Sequence, residues 1–210
     1  MKENGADGIG GGDAPTPYDR IASEWRAAQR RFTAKPFLDM MIAMLPANAE
    51  VLDLGCGNGL PNAAYLIAHG FRVTGVDESA RQIASAAEDL PGMRGMVGDM
   101  RALSFDREFD AVVAWDSTFH LSRADQRTMI ARCAAWLRPR GLLLISHGGT
   151  EGEISGEMFG VDFHYSADEP EEFLTCIEES GFRIIHHETD EPPVIEAGGY
   201  GHCATLATAF

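Results

Sequence analysis

The sequence predicts one α/β domain: a mostly parallel sheet with helices on both faces and an antiparallel C-terminal hairpin. Three observations lead there. Apolar runs at residues 50–54, 71–76, 93–97, 109–115 and 141–146 alternate with helix-length segments, the pattern of parallel strands buried on both faces. The last two apolar runs, residues 182–188 and 203–209, have only a turn-rich loop between them and should pair antiparallel. A length of 210 residues, with 45% hydrophobic and 23% charged side chains, suits one well-cored domain and is short for two.

Residues 1–15 are Gly-rich without an apolar core and read as a flexible leader, leaving residues 16–210 as the domain. The first helix is expected over residues 18–31, where Tyr18, Ile21, Ala22, Trp25 and Ala28 recur at three- and four-residue spacing. A second, over 36–45, carries Phe37, Met40, Met41 and Met44 and is stopped by Pro46. The first strand runs into the turn Gly55-Cys56-Gly57-Asn58-Gly59, followed by a helix over 60–69 capped by Gly70. After the second strand, Asp77-Glu78-Ser79 opens a helix to residue 89. The third strand is weak and ends at Gly98-Asp99; a helix over 124–137 separates the fourth and fifth. An insertion of about twenty residues, rich in Gly, Glu and aromatics and including 159–165, reads as irregular cover. The helix over 169–179 presents Phe173, Leu174 and Ile177 and is capped by Gly181. Pro192, Pro193, Gly198, Gly199 and Gly201 mark the loop between the last two strands.

Charge and cysteine usage exclude several classes. Lys and Arg number 17 against 32 Asp and Glu, a formal net charge of −15, and no basic patch relieves it; Arg30-Arg31 is the one adjacent basic pair near a candidate site. Such a field repels phosphate backbones, so nucleic acid is not an expected partner. Cys56, Cys133, Cys176 and Cys203 lie far apart, with no C-x-x-C and no histidine at metal spacing. Neither a metal site nor a disulfide scaffold is expected, and a reducing, cytoplasmic setting is. No apolar run nears the roughly 18 residues of a membrane span.

In an open α/β sheet the ligand lies beyond the carboxyl ends of the strands, at the switch point. Four segments should converge there: residues 55–59, Asp77-Glu78-Ser79, Gly98-Asp99-Met100 and Trp115-Asp116. Glycines let a ligand approach the backbone, and a carboxylate 20 residues past Gly57 suits a ribose diol. A nicotinamide dehydrogenase would share this outline. Two details oppose it: Leu60 stands where G-x-G-x-x-G has its third glycine, and Asp53 puts a charge where a pyrophosphate would sit. An acidic site attracts a cationic adenosyl ligand instead.

The motifs, taken in order, resemble those of the Rossmann-like (class I) S-adenosylmethionine-dependent methyltransferases. Val51-Leu52-Asp53-Leu54-Gly55-Cys56-Gly57-Asn58-Gly59 is similar to their first motif and Gly75-Val76-Asp77-Glu78-Ser79 to the second. Gly98-Asp99-Met100 looks like the adenine-contacting turn, and Phe109-Asp110-Ala111-Val112-Val113 like the fourth strand. Leu137-Arg138-Pro139-Arg140-Gly141 matches the turn before the fifth strand, except that Arg140 stands at a usual glycine. The resemblance covers about residues 18–210. It implies that Asp53 holds the methionine end with Gly55, Cys56 and Gly57, that Asp77, with Glu78 beside it, takes the ribose hydroxyls, and that Asp99 and Met100 meet the adenine. Tyr18, Trp25 and Arg30 belong to a stretch similar to the family's N-terminal lid helix, and Trp115 is expected near the adenine or the methyl group.

The acceptor side is less determined. Residues after the fourth and fifth strands and in the insertion are candidates: Asp116, Ser117, Phe119, His120, His147 and 159–165. Among them His120, His147 and Tyr165 are the expected catalytic groups, and a histidine base would lose activity below about pH 6.5. His186 and His187 alternate on a strand, so one at most faces inward, and neither is included. The expected function is methyl transfer to O, N or C of a small-molecule acceptor by a monomer or homodimer. The alternatives are an NAD(P)-dependent oxidoreductase and a non-catalytic cofactor-binding sensor.

Overall fold

The computed structural model describes residues 14–28, 33–191 and 201–210; Arg30 and most of the Gly-rich leader lie outside them. The first helical stretch is two short helices, α1 (Pro17–Arg20) and α2 (Ala22–Ala27), where periodicity predicts one. Ile21, between them, is 1% exposed and takes φ −108° and ψ 11°, leaving the helical region to bury its side chain. Thr16 and Asp19 cap α1 reciprocally.

The expected alternation follows: α3 (Lys35–Ile42), β1 (Glu50–Leu54), α4 (Asn62–Ala68), β2 (Arg72–Asp77), α5 (Ala80–Asp89), β3 (Arg94–Val97), β4 (Phe109–Ala114), α6 (Arg123–Trp136) and β5 (Leu137–Gly148). The fifth strand is longer than the apolar run predicts. It starts directly after α6, and a register shift between Phe109 and Ala111 of β4 accommodates the extra residues. The insertion is not irregular: β6 (Gly152–Met158) and β7 (Val161–Ala167) pair as an antiparallel hairpin. Its two-residue turn, Phe159-Gly160, has φ of 53° and 77°, the mirror-image turn that twisted hairpins favour. Phenylalanine is an unusual occupant of the first position, and this hid the hairpin. The chain ends with α7 (Pro170–Glu179), β8 (Phe182–Glu191) and β9 (His202–Ala209).

Seven strands form one sheet in the order β3-β2-β1-β4-β5-β9-β8. The first five pair parallel, and β9 lies antiparallel between β5 and β8. Alternation along each central strand sends neighbours to opposite faces. Val51, Val113 and Leu144 pack with Leu38, Met41 and Leu66 on one side; Leu52, Val112 and Leu143 pack with Met129, Ile130 and Phe173 on the other. That double burial is why the strands read as unbroken apolar runs. None of the described helices is long and apolar enough to cross a membrane.

Leu143 is fully buried in a strand with neighbours on both sides, whereas Val97, on edge strand β3, is 42% exposed. Urea unfolding of Leu143→Ala should show a loss of about 2–5 kcal/mol. Val97→Ala should stay within about 0.5 kcal/mol of wild type. Equal losses would contradict the sheet order.

Candidate functional site

The strand order reverses between β1 and β4, and there the carboxyl ends open into a cavity of about 670 Å³. Tyr18, Trp25, Asp53, Gly55, Cys56, Gly57, Asp77, Glu78, Asp99, Met100 and Trp115 all line it, so the predicted cofactor contacts within the described residues converge. The loop after β1 is drawn over β2 by the Gly55 and Cys56 amides, which donate to the Val76 carbonyl at 2.8 and 3.0 Å. Gly55 has φ 71°, and a Cβ there would come within 2.3 Å of Ser117 Cβ, so no other residue fits. At Gly57 a Cβ would meet nothing nearer than Trp25 Nε1 at 3.7 Å, which leaves the backbone accessible from the cavity.

Asp77 accepts from the Gly57 amide through Oδ2 and from the Ser79 amide through Oδ1, both at 2.9 Å. Burial still raises its carboxyl to about 6 against those bonds. Asp53, 3% exposed, is pushed to about 7 by burial first and then by the Asp77 charge. Among the described residues no Lys or Arg forms an ion pair with either carboxylate. Burial also raises the Glu78 carboxyl, with the Asp99 charge adding to it. The Cys56 thiol stays protonated because burial lifts it well above its ordinary value, and it contacts the Gly57 carbonyl at 3.4 Å. Asp99 is already engaged: the Arg101 side chain donates to both its oxygens at 2.7–3.0 Å and holds the carboxyl low. An adenine amino group would compete with that ion pair.

A chain of hydrogen bonds joins three residues of the cavity wall, Tyr18, His120 and His164. His120 Nδ1 faces the His164 carbonyl at 3.0 Å and must therefore carry the hydrogen. Its Nε2 is then the acceptor for the Tyr18 hydroxyl at 2.9 Å. Burial lowers the His120 pKa, so this tautomer is the neutral ring. Burial, followed by nearby negative charge, keeps the Tyr18 phenol protonated. Phe163 of the hairpin packs edge-on to Tyr18 at 4.9 Å.

The three expected catalytic side chains do not share one cavity. His120 lines the first; His147 and Tyr165 line a second, of about 380 Å³, that meets the first at Asp116. The His147 ring stacks on Phe173 of α7 at 4.3 Å and is 2% exposed, and burial drives it down to about 4. Tyr165 reaches the His120 ring, with centroids 4.9 Å apart. Both histidines titrate below 6.5, so the pH limb expected from an ordinary histidine does not apply.

Asp116 adopts φ 51°, a conformation uncommon outside glycine. It is held there by its amide donating to Ser146 Oγ at 2.8 Å and by a contact from His202 Nε2 to Oδ1 at 2.9 Å. Sequence reasoning missed His202. It reaches the site because β9 sets it opposite Gly148, a pairing across more than fifty residues that no local pattern encodes.

Residues 51–141 match the family model of a methyltransferase domain. A trans-aconitate 2-methyltransferase of Azoarcus sp. (strain BH72) is 33% identical over 136 residues, covering 61% of this chain and 47% of the relative. Phosphoethanolamine N-methyltransferase 1 of Zea mays is 27% identical over 176 residues, covering 81% of this chain and 31% of the relative. The chain therefore spans less than half the length of both. Among solved structures, a TehB-like SAM-dependent methyltransferase from Corynebacterium glutamicum ATCC 13032 superimposes with a TM-score of 0.66 at 25% identity. That alignment covers 91% of this chain and 97% of the other.

The raised carboxyls make a stability prediction with a definite sign. Asp53 and Asp77 bind protons more tightly folded, at about 7 and 6, than unfolded, near 3.8. They stabilise the ligand-free fold most at low pH, and that contribution fades as pH rises from about 4 to 7. Asp53→Asn removes one such titration, so its stability relative to wild type should climb between pH 5 and 7.5 in urea unfolding. A pH-independent difference would mean that Asp53 ionises normally.

Proposed function

We propose that the chain is a class I S-adenosylmethionine-dependent methyltransferase, as the match of residues 51–141 to a methyltransferase-domain model and the fold support, and that it transfers a methyl group to a small-molecule acceptor that carries no negative charge. The carrying observation is the pair of desolvated carboxylates, Asp53 and Asp77, at an amide-exposing loop with no cation paired to them among the described residues. Such a pair fits a ligand with an ammonium and a sulfonium, and it opposes the pyrophosphate of a nicotinamide cofactor by direct repulsion. Asp53 and the Gly55–Gly57 backbone would hold the methionine end, and Asp77 the ribose hydroxyls. When bound, S-adenosylmethionine supplies an electrophilic methyl group on its sulfonium.

The chain's own residues then exclude water, orient the acceptor and move its proton. Tyr18, Trp25 and Phe163 form an aromatic cover over the cavity. The Tyr18–His120 pair can take a proton: as the acceptor's hydrogen reaches the Tyr18 oxygen, the Tyr18 hydrogen passes to His120 Nε2. The His164 carbonyl steadies the resulting imidazolium through Nδ1–H. Asp116 and Asp162 face this region, and Arg101, the sole Lys or Arg among the described lining residues, is committed to Asp99 and Asp125. An anionic acceptor therefore finds no free cation among the described lining residues, while an amine or a neutral hydroxyl meets carboxylates and aromatic faces.

Calorimetry should show S-adenosylmethionine binding at one site per chain, with Asp77→Ala weakening it by about 2–4 kcal/mol. Tight NAD or NADP binding with no response to the adenosyl ligand would overturn the reading.

With isotopically labelled cofactor and a metabolite panel, amines should accept label and tricarboxylates such as trans-aconitate should not. With the acceptor so found, Tyr18→Phe and His120→Asn should each lower kcat about 10²-fold or more while cofactor affinity stays near wild type. The acid limb of kcat at saturating cofactor should fall below pH 6.5, as the lowered His120 pKa requires. Full turnover in both variants would remove the pair from the mechanism.

A further inference from the structure

His147 on β5, His187 on β8 and Cys203 on β9 each offer a donor atom, and these three atoms lie within 4.8 Å of one another. Strand register produces the cluster. His147 stands opposite Cys203 across β5–β9, and His187 opposite Thr205 across β8–β9, so all three side chains share the sheet face under α7. The adjacent His186 goes the other way, toward the Phe37 ring at 6.0 Å, while His187 stacks beside His147 at 5.5 Å with planes 13° apart. Methyl transfer as described above uses none of the three. Spacings of 40 and 16 residues in the sequence conceal the set.

We propose that His147, His187 and Cys203 bind one borderline-to-soft metal ion, with zinc(II) the best match to two imidazoles and a thiolate. Hard cations such as calcium and magnesium take oxygen donors, and this cluster offers nitrogen and sulfur. The strongest support is the orientation of His147. Its Nδ1 lies 3.0 Å from the Gly148 carbonyl and so carries the hydrogen, which leaves the Nε2 lone pair turned toward the cluster, 3.3 Å from Thr205 Oγ1. A backbone carbonyl on the remote ring nitrogen is the usual device that fixes a metal-binding imidazole. Thr205 Oγ1 also contacts His187 Nδ1 at 3.0 Å, so one hydroxyl bridges the two rings.

Ligands about 2.0–2.3 Å from zinc lie roughly 3.3–3.8 Å apart, so the cluster must close by about 1 Å. His147 and Cys203 are buried at 2% and 0%, whereas His187 is half-buried on edge strand β8; it is the member with room to turn and the side from which an ion enters. Coordination replaces the Cys203 thiol hydrogen, which leaves to solvent, and the thiolate offsets one of the ion's two charges. Three protein ligands leave one position for water or the Thr205 hydroxyl. Bound metal would clamp the last two strands to β5.

The test is titration of the full chain, stripped with chelator, with zinc(II) and separately with cobalt(II). Wild type should bind one zinc per chain with a rise in Tm, and the cobalt complex should show a thiolate-to-metal charge-transfer band in the near ultraviolet. Cys203→Ser should abolish that band, and His187→Gln, at a half-buried edge position that tolerates the change, should weaken zinc binding at least tenfold. His186→Gln should change neither. Absence of stoichiometric binding, or a cobalt complex without a thiolate band, would overturn the proposal. So would zinc affinity unchanged in His187→Gln, which would place the ion elsewhere on the surface.

Discussion

Two carboxylates, Asp53 and Asp77, sit buried at the ends of adjacent parallel strands with no cation paired to them among the described residues, and the site is arranged around that. Register pairs Asp53 with Gly75 and brings Asp77 to the end of β2, where its oxygens take the amides of Gly57 and Ser79. The loop can fold this tightly because Gly55 leaves room for Ser117 from the β4 side. Burying charge in this way costs stability, and the two apolar layers on either side of the sheet offset it. A cationic ligand removes the cost by supplying the missing counter-charge, so the same feature that weakens the empty fold directs its binding.

The N-terminal segment joins this charged floor to the aromatic roof through two consecutive residues. Asp19 accepts from Ser79 Oγ at 2.6 Å and from the Arg81 amide at 3.1 Å, fixing α1 to the start of α5. Tyr18 points instead to His120. Neighbours on a helix diverge by about 100°, so one short helix can serve both partners. The break at Ile21 buries an apolar side chain that a continuous helix would have carried elsewhere. The start of α5 and His120 are thus mechanically linked through residues 18 and 19.

Local chemistry made the parallel core legible. Unbroken apolar runs, the glycines after β1 and the carboxylates after β2 each reflect a constraint felt within a few residues. What stayed hidden depends on partners far along the chain. The Phe159-Gly160 turn places a bulky residue where the pattern favours glycine, asparagine or aspartate, so the hairpin reads as a loop. The distribution of histidines between two cavities follows from hairpin packing and strand register, not from spacing. Asp99 was legible as a cavity residue, but its capture by Arg101 two positions on was not.

The antiparallel insertion of β9 explains why the last nine residues matter to the site at all. A parallel strand beside β5 would deliver its carboxyl end to the cavity; an antiparallel one delivers its beginning. Residues 202 and 203 therefore arrive at the same end of the sheet as the cofactor loops, opposite Gly148 and His147. On one face His202 reaches Asp116 and leans on Trp115. On the other, Cys203 joins His147 and His187 beneath α7. Side chains alternate along the strand, so adjacent residues serve different faces, and one topological choice gives the edge of the sheet both a contact to Asp116 between the two cavities and a separate cluster of metal-type donors.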